Sequence, residues 1–253
     1  MENAGMHFFT EFLGSLILII LGNGVVANVV LKNTKGYKSP FLMIALGWGF
    51  AVAVGATVAA ALGGKAHLNP AVTIAVVVNG WESGVGSWGL LPIFIAAQFL
   101  GFFVGQIIVD LFYFDHIKKY FKKDSEDFGT KSVLAMHSTG PQTRTLWVNF
   151  FSEFIGTALL VAFILAIGKI GTLPTYLGPI FVGMVIMAIG CSLSGTTGYA
   201  INPFRDFTPR IVYQLLTFLP FANREESADW QYSWIPVIAP MSAGVLVGAL
   251  FLI

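Results

Sequence analysis

Hydrophobic positions dominate the chain in long blocks, and polar positions interrupt them at intervals. Nearly charge-free apolar runs fall at about 8–31, 41–62, 90–114, 146–168, 176–193 and 233–253. A helix needs roughly 20 mostly apolar residues to cross a bilayer's hydrocarbon layer, so each run predicts a transmembrane helix. The first run carries Glu11 and shows neither a basic segment ahead of it nor a small-residue cleavage site, so it reads as a retained span and not a leader.

Two further apolar stretches are too short to span. After "GGKAHLN" comes "PAVTIAVVVN" at 70–79, followed by a Gly/Ser/Trp-rich loop. A helix of that length reaches only about 15 Å, roughly half the hydrocarbon layer. The stretch opening "PFRDFTPRIVYQLL" after "YAIN" is its counterpart. Both begin Asn-Pro. Asparagine is a favoured N-cap, and proline suits the first helical position, where its missing N–H would be unpaired anyway. Each pair therefore predicts a helix start at membrane depth, where non-helical backbone is tolerated only if buried or lining a watery cavity.

The pattern occurs twice. "TEFLGSLILIILGNG" (10–24) parallels "SEFIGTALLVAFILAIG" (152–168), and each leads through an apolar segment to an Asn-Pro half-helix and one more span. Three spans per copy turn the second copy upside down, and inverted repeats with broken helices meeting at the midplane mark channels and transporters. The expected organisation is one domain over 1–253: repeat one at about 7–114, a polar linker loop at 115–145 and repeat two at about 146–253.

Composition agrees with this reading and removes other classes. Of the 253 residues 56% are hydrophobic and 11% charged, against about 25% charged in soluble domains. The expectation is a multi-pass protein of the cell membrane. A net charge of +1 gives no reason to expect a nucleic-acid partner, and the single cysteine, Cys191, excludes an internal disulfide or a paired-cysteine metal site. His7, His67, His116 and His137 are scattered, and no Ser/His/Asp set, HExxH or phosphate loop occurs. No metal, cofactor or enzymatic activity is expected.

The paired boxes "HLNPAVT" and "AINPFRD", with "EFLG" and "EFIG" heading the repeats, resemble the aquaporin family over nearly the whole chain. Asp206 after Arg205, Arg210, and Pro236-Val237 are similar to its glycerol-conducting branch. The resemblance implies an all-α membrane fold: a right-handed bundle of six transmembrane helices plus two half-helices, an inverted repeat with one pore per subunit, assembled as a homotetramer. It implies a passive channel for glycerol and other small uncharged solutes, with water, that excludes protons and ions. Dihydroxyacetone, urea, hydrogen peroxide and neutral lactic acid are the other candidate solutes. The alternative is an ion- or proton-coupled secondary transporter, which needs a titratable carboxylate on the solute path.

Site residues follow from the resemblance. Asn69 and Asn202 are the central donors, their side-chain oxygens held by backbone and their amide hydrogens left for the lumen. Trp48, Gly190, Tyr199 and Arg205 form the selectivity filter: two aromatic faces take a polyol's carbon side while Arg205 meets its hydroxyls and repels cations. Glu11 and Glu153 hold the loops ahead of the half-helices so that carbonyls of Lys65, Ala66, His67, Leu68, Gly198, Ala200 and Ile201 face the pore. Asp206 is a structural support that bonds nearby loop backbone.

Several positions depart from the family pattern. Tyr199 stands where phenylalanine is common and slightly narrows the slot; Phe204 replaces alanine and is expected to alter packing at the pore midpoint. Lys65 replaces a small residue and is expected to reach into the vestibule. Asp110, near the end of the third span, has no reading from sequence. The family places the 32–40 and 115–145 loops outside, yet these carry Lys32, Lys35, Lys38, Lys118, Lys119, Lys122, Lys123, Lys131 and Arg144, against Lys65 and Lys169 on the other side. The positive-inside rule thus opposes the family orientation, which is the one preferred here.

Overall fold

In this computed structural model the described residues are 3–122, 125, 126, 129, 131–170, 174–222 and 227–253, without the side chains of Ser83 and Thr175; Lys123 lies outside them. The regular structure among the described residues is all helical, with no strand. In chain order the helices are α1 (Ala4–Val30), α2 (Phe41–Ala61), α3 (Pro70–Gly84), α4 (Leu91–Phe112), α5 (Phe114–Phe121), α6 (Lys131–His137), α7 (Leu146–Gly168), α8 (Gly178–Leu193), α9 (Pro203–Leu216), α10 (Trp230–Ser233) and α11 (Ile235–Leu250).

Among the described residues, five helical stretches are long and apolar enough to cross a membrane: α1, α2, α4 with its preceding 3-10 turn, α7, and α10 with α11. The sixth predicted span is shorter than its sequence suggests. The apolar run from 176 begins as a 3-10 turn at Thr175–Leu177, and α8 covers only 16 residues. Proline at position 179 explains the late start, because it fits the first turn of a helix but not its interior.

Packing follows the repeat. Helix α1 lies against α2 and α4, and α7 lies correspondingly against α8 and α11. Each half-helix crosses over: α3 packs on α11 of the second repeat, and α9 on α4 of the first. Lipid tails are as apolar as leucine, so helices in a bilayer gain mainly from close approach, which small residues permit. Between α2 and α8, a Cβ on Gly49 would sit 2.7 Å from the Gly183 carbonyl oxygen, and one on Gly183 would sit 2.6 Å from that of Gly49. Between α3 and α11, Cβ atoms on Gly244 and Gly248 would each come 2.5 Å from a carbonyl oxygen, of Ala71 and Ala75.

The 115–145 segment is less loop-like than its polarity suggests. Helix α5 turns Ile117, Tyr120 and Phe121 into the bundle end, and α6 buries Val133, Met136 and His137. Those apolar side chains recur at helical spacing between lysines, which disguises them in a count of charges.

Candidate functional site

Each half-helix is started by its asparagine. Asn69 Oδ1 accepts from the N–H of Ala71 at 2.9 Å; Asn202 Oδ1 accepts from Phe204 at 3.1 Å and Arg205 at 3.3 Å. Both asparagines are extended, and Pro70 and Pro203 take the first helical positions. Helix α3 breaks at Gly80, so its straight part ends where the apolar "PAVTIAVVVN" ends.

The loops ahead of these caps share an unusual backbone. Ala66 and Leu68 in one copy, and Tyr199 and Ile201 in the other, have positive φ values between 42° and 56°. Such angles are costly for residues with a Cβ, above all for β-branched isoleucine, so something must hold them. Two buried carboxylates do so. Glu11 Oε1 accepts from His67 N–H at 2.7 Å, and Oε2 from Leu68 N–H at 2.8 Å. Glu153 accepts from Ala200 N–H at 3.0 Å and Ile201 N–H at 2.8 Å. These are the same two positions before each asparagine. Side chains absent from the sequence reading complete both sets: Gln98 donates to Glu11 at 2.8 Å, and Thr197 to Glu153 at 2.7 Å. Their only signal in sequence is a polar residue beside or inside an apolar run.

A cavity of about 700 Å³ runs between the repeats. Trp48, Lys65, Ala66, His67, Leu68, Asn69, Tyr199, Ala200, Ile201, Asn202 and Arg205 all line it. Gly190 and Gly198, named from sequence with them, are not among its lining residues. Gly190 instead makes room for a neighbour: its Cβ would stand 2.8 Å from the Tyr199 hydroxyl. The space that a glycine leaves at this position is taken up by the hydroxyl end of Tyr199. Gly198, with φ of 85°, provides the left-handed turn into the loop and abuts Thr139.

The asparagine amides are not left wholly for the lumen. Asn69 Nδ2 donates to the Ile201 carbonyl and Asn202 Nδ2 to the Leu68 carbonyl, each at 2.9 Å. An amide nitrogen carries two hydrogens and a carbonyl oxygen two lone pairs, so one hydrogen of each asparagine and one lone pair of each carbonyl remain available. Phe204 also differs from expectation. It faces away from the cavity, stacking edge-on with Phe99 of α4 at 5.5 Å in an outward apolar groove.

Arg205 is 6% exposed, and its guanidinium carbon lies 4.1 Å from the ring centre of Trp48. The indole Nε1 of Trp48 and the hydroxyl of Tyr199 are buried without a partner among the described residues, while the Arg205 guanidinium stacks on Trp48 and makes no hydrogen bond or ion pair among them. Asp206, by contrast, is fully engaged and off the cavity. It accepts from the Thr139 N–H at 2.7 Å and hydroxyl at 2.6 Å, and from Arg210 Nε at 3.0 Å. Arg210 also donates to the carbonyls of Thr139 and Ala228. His67 rests its ring on Phe94 at 5.0 Å and approaches the Thr73 hydroxyl at 3.2 Å. No group of histidine, cysteine, aspartate or glutamate suited to a metal ion occurs among the described residues.

A family model described as Major intrinsic protein matches residues 3–251. The chain is 46% identical over 248 residues to the glycerol uptake facilitator protein of Streptococcus pneumoniae, covering 97% of this chain and 99% of that one. It is 43% identical over 244 residues to the probable glycerol uptake facilitator protein of Thermotoga maritima, covering 96% and 97%. The X-ray structure of the aquaglyceroporin from Plasmodium falciparum superposes with a TM-score of 0.82 at 29% identity, covering 98% of this chain and 96% of that one.

Proposed function

The chain belongs to the major intrinsic protein family, and on that premise we propose a passive channel that conducts glycerol, other small uncharged solutes and water while excluding protons and ions. The observation that carries the proposal is that Trp48 Nε1 and the Tyr199 hydroxyl, both buried without a partner among the described residues, share one cavity with Arg205. Leaving a buried polar group unsatisfied costs about 1–3 kcal/mol, so such a cluster favours a lumen that a hydrogen-bonding solute or water fills.

The residues divide the work. Trp48 and Tyr199 give a polyol's carbon side an apolar slot, and Arg205 donates to its hydroxyls while opposing cations. Beyond the filter, the remaining hydrogens on Asn69 and Asn202 donate to the passing oxygen. Carbonyls of Lys65 to Leu68, Ala200 and Ile201 accept from its hydrogens. The N-terminal ends of α3 and α9 meet there, and their positive dipole ends disfavour protons and cations. Glu11, Glu153 and Asp206 hold this backbone in place without lining the route. The functional unit is one fused domain, placed in the cell membrane as a homotetramer with a pore in each subunit. Dihydroxyacetone, urea, hydrogen peroxide and neutral lactic acid are further candidate solutes of suitable size and charge.

A coupled transporter needs a carboxylate that takes up and releases its proton or ion along the path. Asp206, the candidate nearest the filter, is fully buried and saturated by Thr139 and Arg210. The test is stopped-flow light scattering on proteoliposomes under a glycerol gradient. Relaxation faster than in empty liposomes, and indifferent to sodium and to a proton gradient, is expected; dependence on either gradient sinks the channel reading.

A further inference from the structure

Asp110 and His137 form a buried pair that conduction itself does not use. Asp110 lies near the end of α4, 4% exposed, and His137 ends α6, fully buried. The ring nitrogen Nε2 is 3.0 Å from Asp110 Oδ1 and 3.1 Å from Oδ2. On the other side of the ring, Nδ1 lies 2.7 Å from the carbonyl oxygen of Val133. A carbonyl only accepts, so Nδ1 carries a hydrogen.

The surroundings close around this contact. Gln106 donates to Asp110 Oδ1 at 2.8 Å, and Asn23 donates to Gln106 Oε1 at 2.5 Å. Asn23 also donates to the carbonyl of His137 at 3.1 Å. These four residues make a closed polar ring joining α1, α4 and α6, with the ring of Tyr213 from α9 packed edge-on at 5.5 Å. Asp110 is the charged group facing the imidazole; α1 presents Asn23 and α9 presents Tyr213.

With Nδ1 committed to Val133, the contact between Nε2 and Asp110 is held by a single proton. It is the same proton whether assigned to nitrogen, as imidazolium beside carboxylate, or to oxygen, as carboxylic acid beside neutral imidazole. Without it, two acceptors face each other at 3.0 Å away from water, and a buried unpaired charge repels the contact. Two residues further on, Thr139 donates twice to Asp206, and Arg205 is the next residue back along α9.

We propose that Asp110 and His137 are positioning residues: a proton-held latch that fixes the 137–139 segment and, through Asp206, the place of Arg205 in the filter. The inference rests on the channel reading above. It predicts that selectivity, not only stability, follows the latch.

The test measures glycerol and erythritol permeability of the full chain in proteoliposomes from mildly acidic to alkaline pH. In the unaltered protein the preference for glycerol falls about threefold or more once the shared proton is lost, the range that coupling through packed contacts spans. Asp110→Asn offers an amide hydrogen to neutral Nε2 and a carbonyl to Gln106, so it holds the latch without that proton and its profile is flat. His137→Leu shows the alkaline selectivity at every pH. A flat profile in the unaltered, conducting protein overturns the latch, as does an Asp110→Asn profile that titrates in parallel with it. If His137→Leu does not assemble, the Asp110→Asn comparison decides alone. Failure of every form to conduct glycerol at any pH overturns the channel reading instead.

Discussion

Asn69 and Asn202 each donate one amide hydrogen to the carbonyl just ahead of the other: Asn69 to Ile201 and Asn202 to Leu68, both at 2.9 Å. The two repeats are thus stitched at their centre by a reciprocal pair of bonds. The same nitrogens hold the remaining hydrogens that the channel reading needs, so stability and conduction draw on one pair of side chains.

Replacing either asparagine by alanine is expected to cost about the same. Each change loses an N-cap, about 1 kcal/mol, and orphans a buried carbonyl, about 1–3 kcal/mol. Thermal unfolding of Asn69→Ala and Asn202→Ala in detergent should show similar drops in Tm. The double variant should depart from additivity because the groups are in contact. A large drop for only one of them contradicts the reciprocal arrangement.

How much of this was legible in sequence depended on distance along the chain. Pro70 and Pro203 mark helix starts through adjacent residues, and the repeat repeats the signal, so the half-helices read out directly. The paired use of Asn69 and Asn202 did not: the bonds span 132 and 134 positions, and an amide's two hydrogens cannot be apportioned from composition. Asp110 had no reading because its partner sits on α6, a helix hidden within a lysine-rich stretch. Gly190 was legible as a small residue near the filter, but which neighbour used the space depended on the rotamer of Tyr199.

Phe204 turned outward because successive helical residues point about 100° apart, so a side chain two places after the cap need not share the cap's face. Its ring meets Phe99, not the cavity. Phe204→Ala is therefore expected to leave glycerol and water permeability within about twofold, while losing an aromatic pair worth about 0.5–1.5 kcal/mol. Stopped-flow rates normalised to the amount of reconstituted protein, with Tm in detergent, check both parts. Changed solute selectivity in this variant contradicts the outward placement.

Tyr199 and Gly190 are expected to be coupled. A methyl at 190 would stand 2.8 Å from the Tyr199 hydroxyl and 2.9 Å from its ring carbon, so Gly190→Ala must push the ring toward the cavity. Glycerol flux should fall while water flux, needing less width, falls less. Tyr199→Phe removes a buried hydroxyl that has no described partner, and in the double variant it should restore part of the glycerol flux. A coupling energy of roughly 0.5–3 kcal/mol is the usual range for touching residues; independent effects on flux would show that Gly190 acts elsewhere.

Arg205 carries the sharpest electrostatic prediction. It lies buried over Trp48 at the cavity that Tyr199 and the two asparagines also line, so its charge faces whatever passes. At an effective dielectric constant of about 20, a unit charge 4 Å away opposes a passing cation by about 4 kcal/mol. Arg205→Val removes that barrier and a stacking partner together. Cation or proton leak, read with a pH-sensitive dye under an imposed potential, should rise at least about tenfold, since tenfold requires only about 1.4 kcal/mol. Glycerol flux is expected to persist, because the asparagine donors and carbonyls remain. Arg205→Lys separates charge from shape: lysine keeps the charge but lacks the planar fork that stacks on an aromatic face. It should hold the leak low while changing the ratio of glycerol to water. An unchanged leak in Arg205→Val would place the cation barrier at the meeting of the two half-helix N-termini instead.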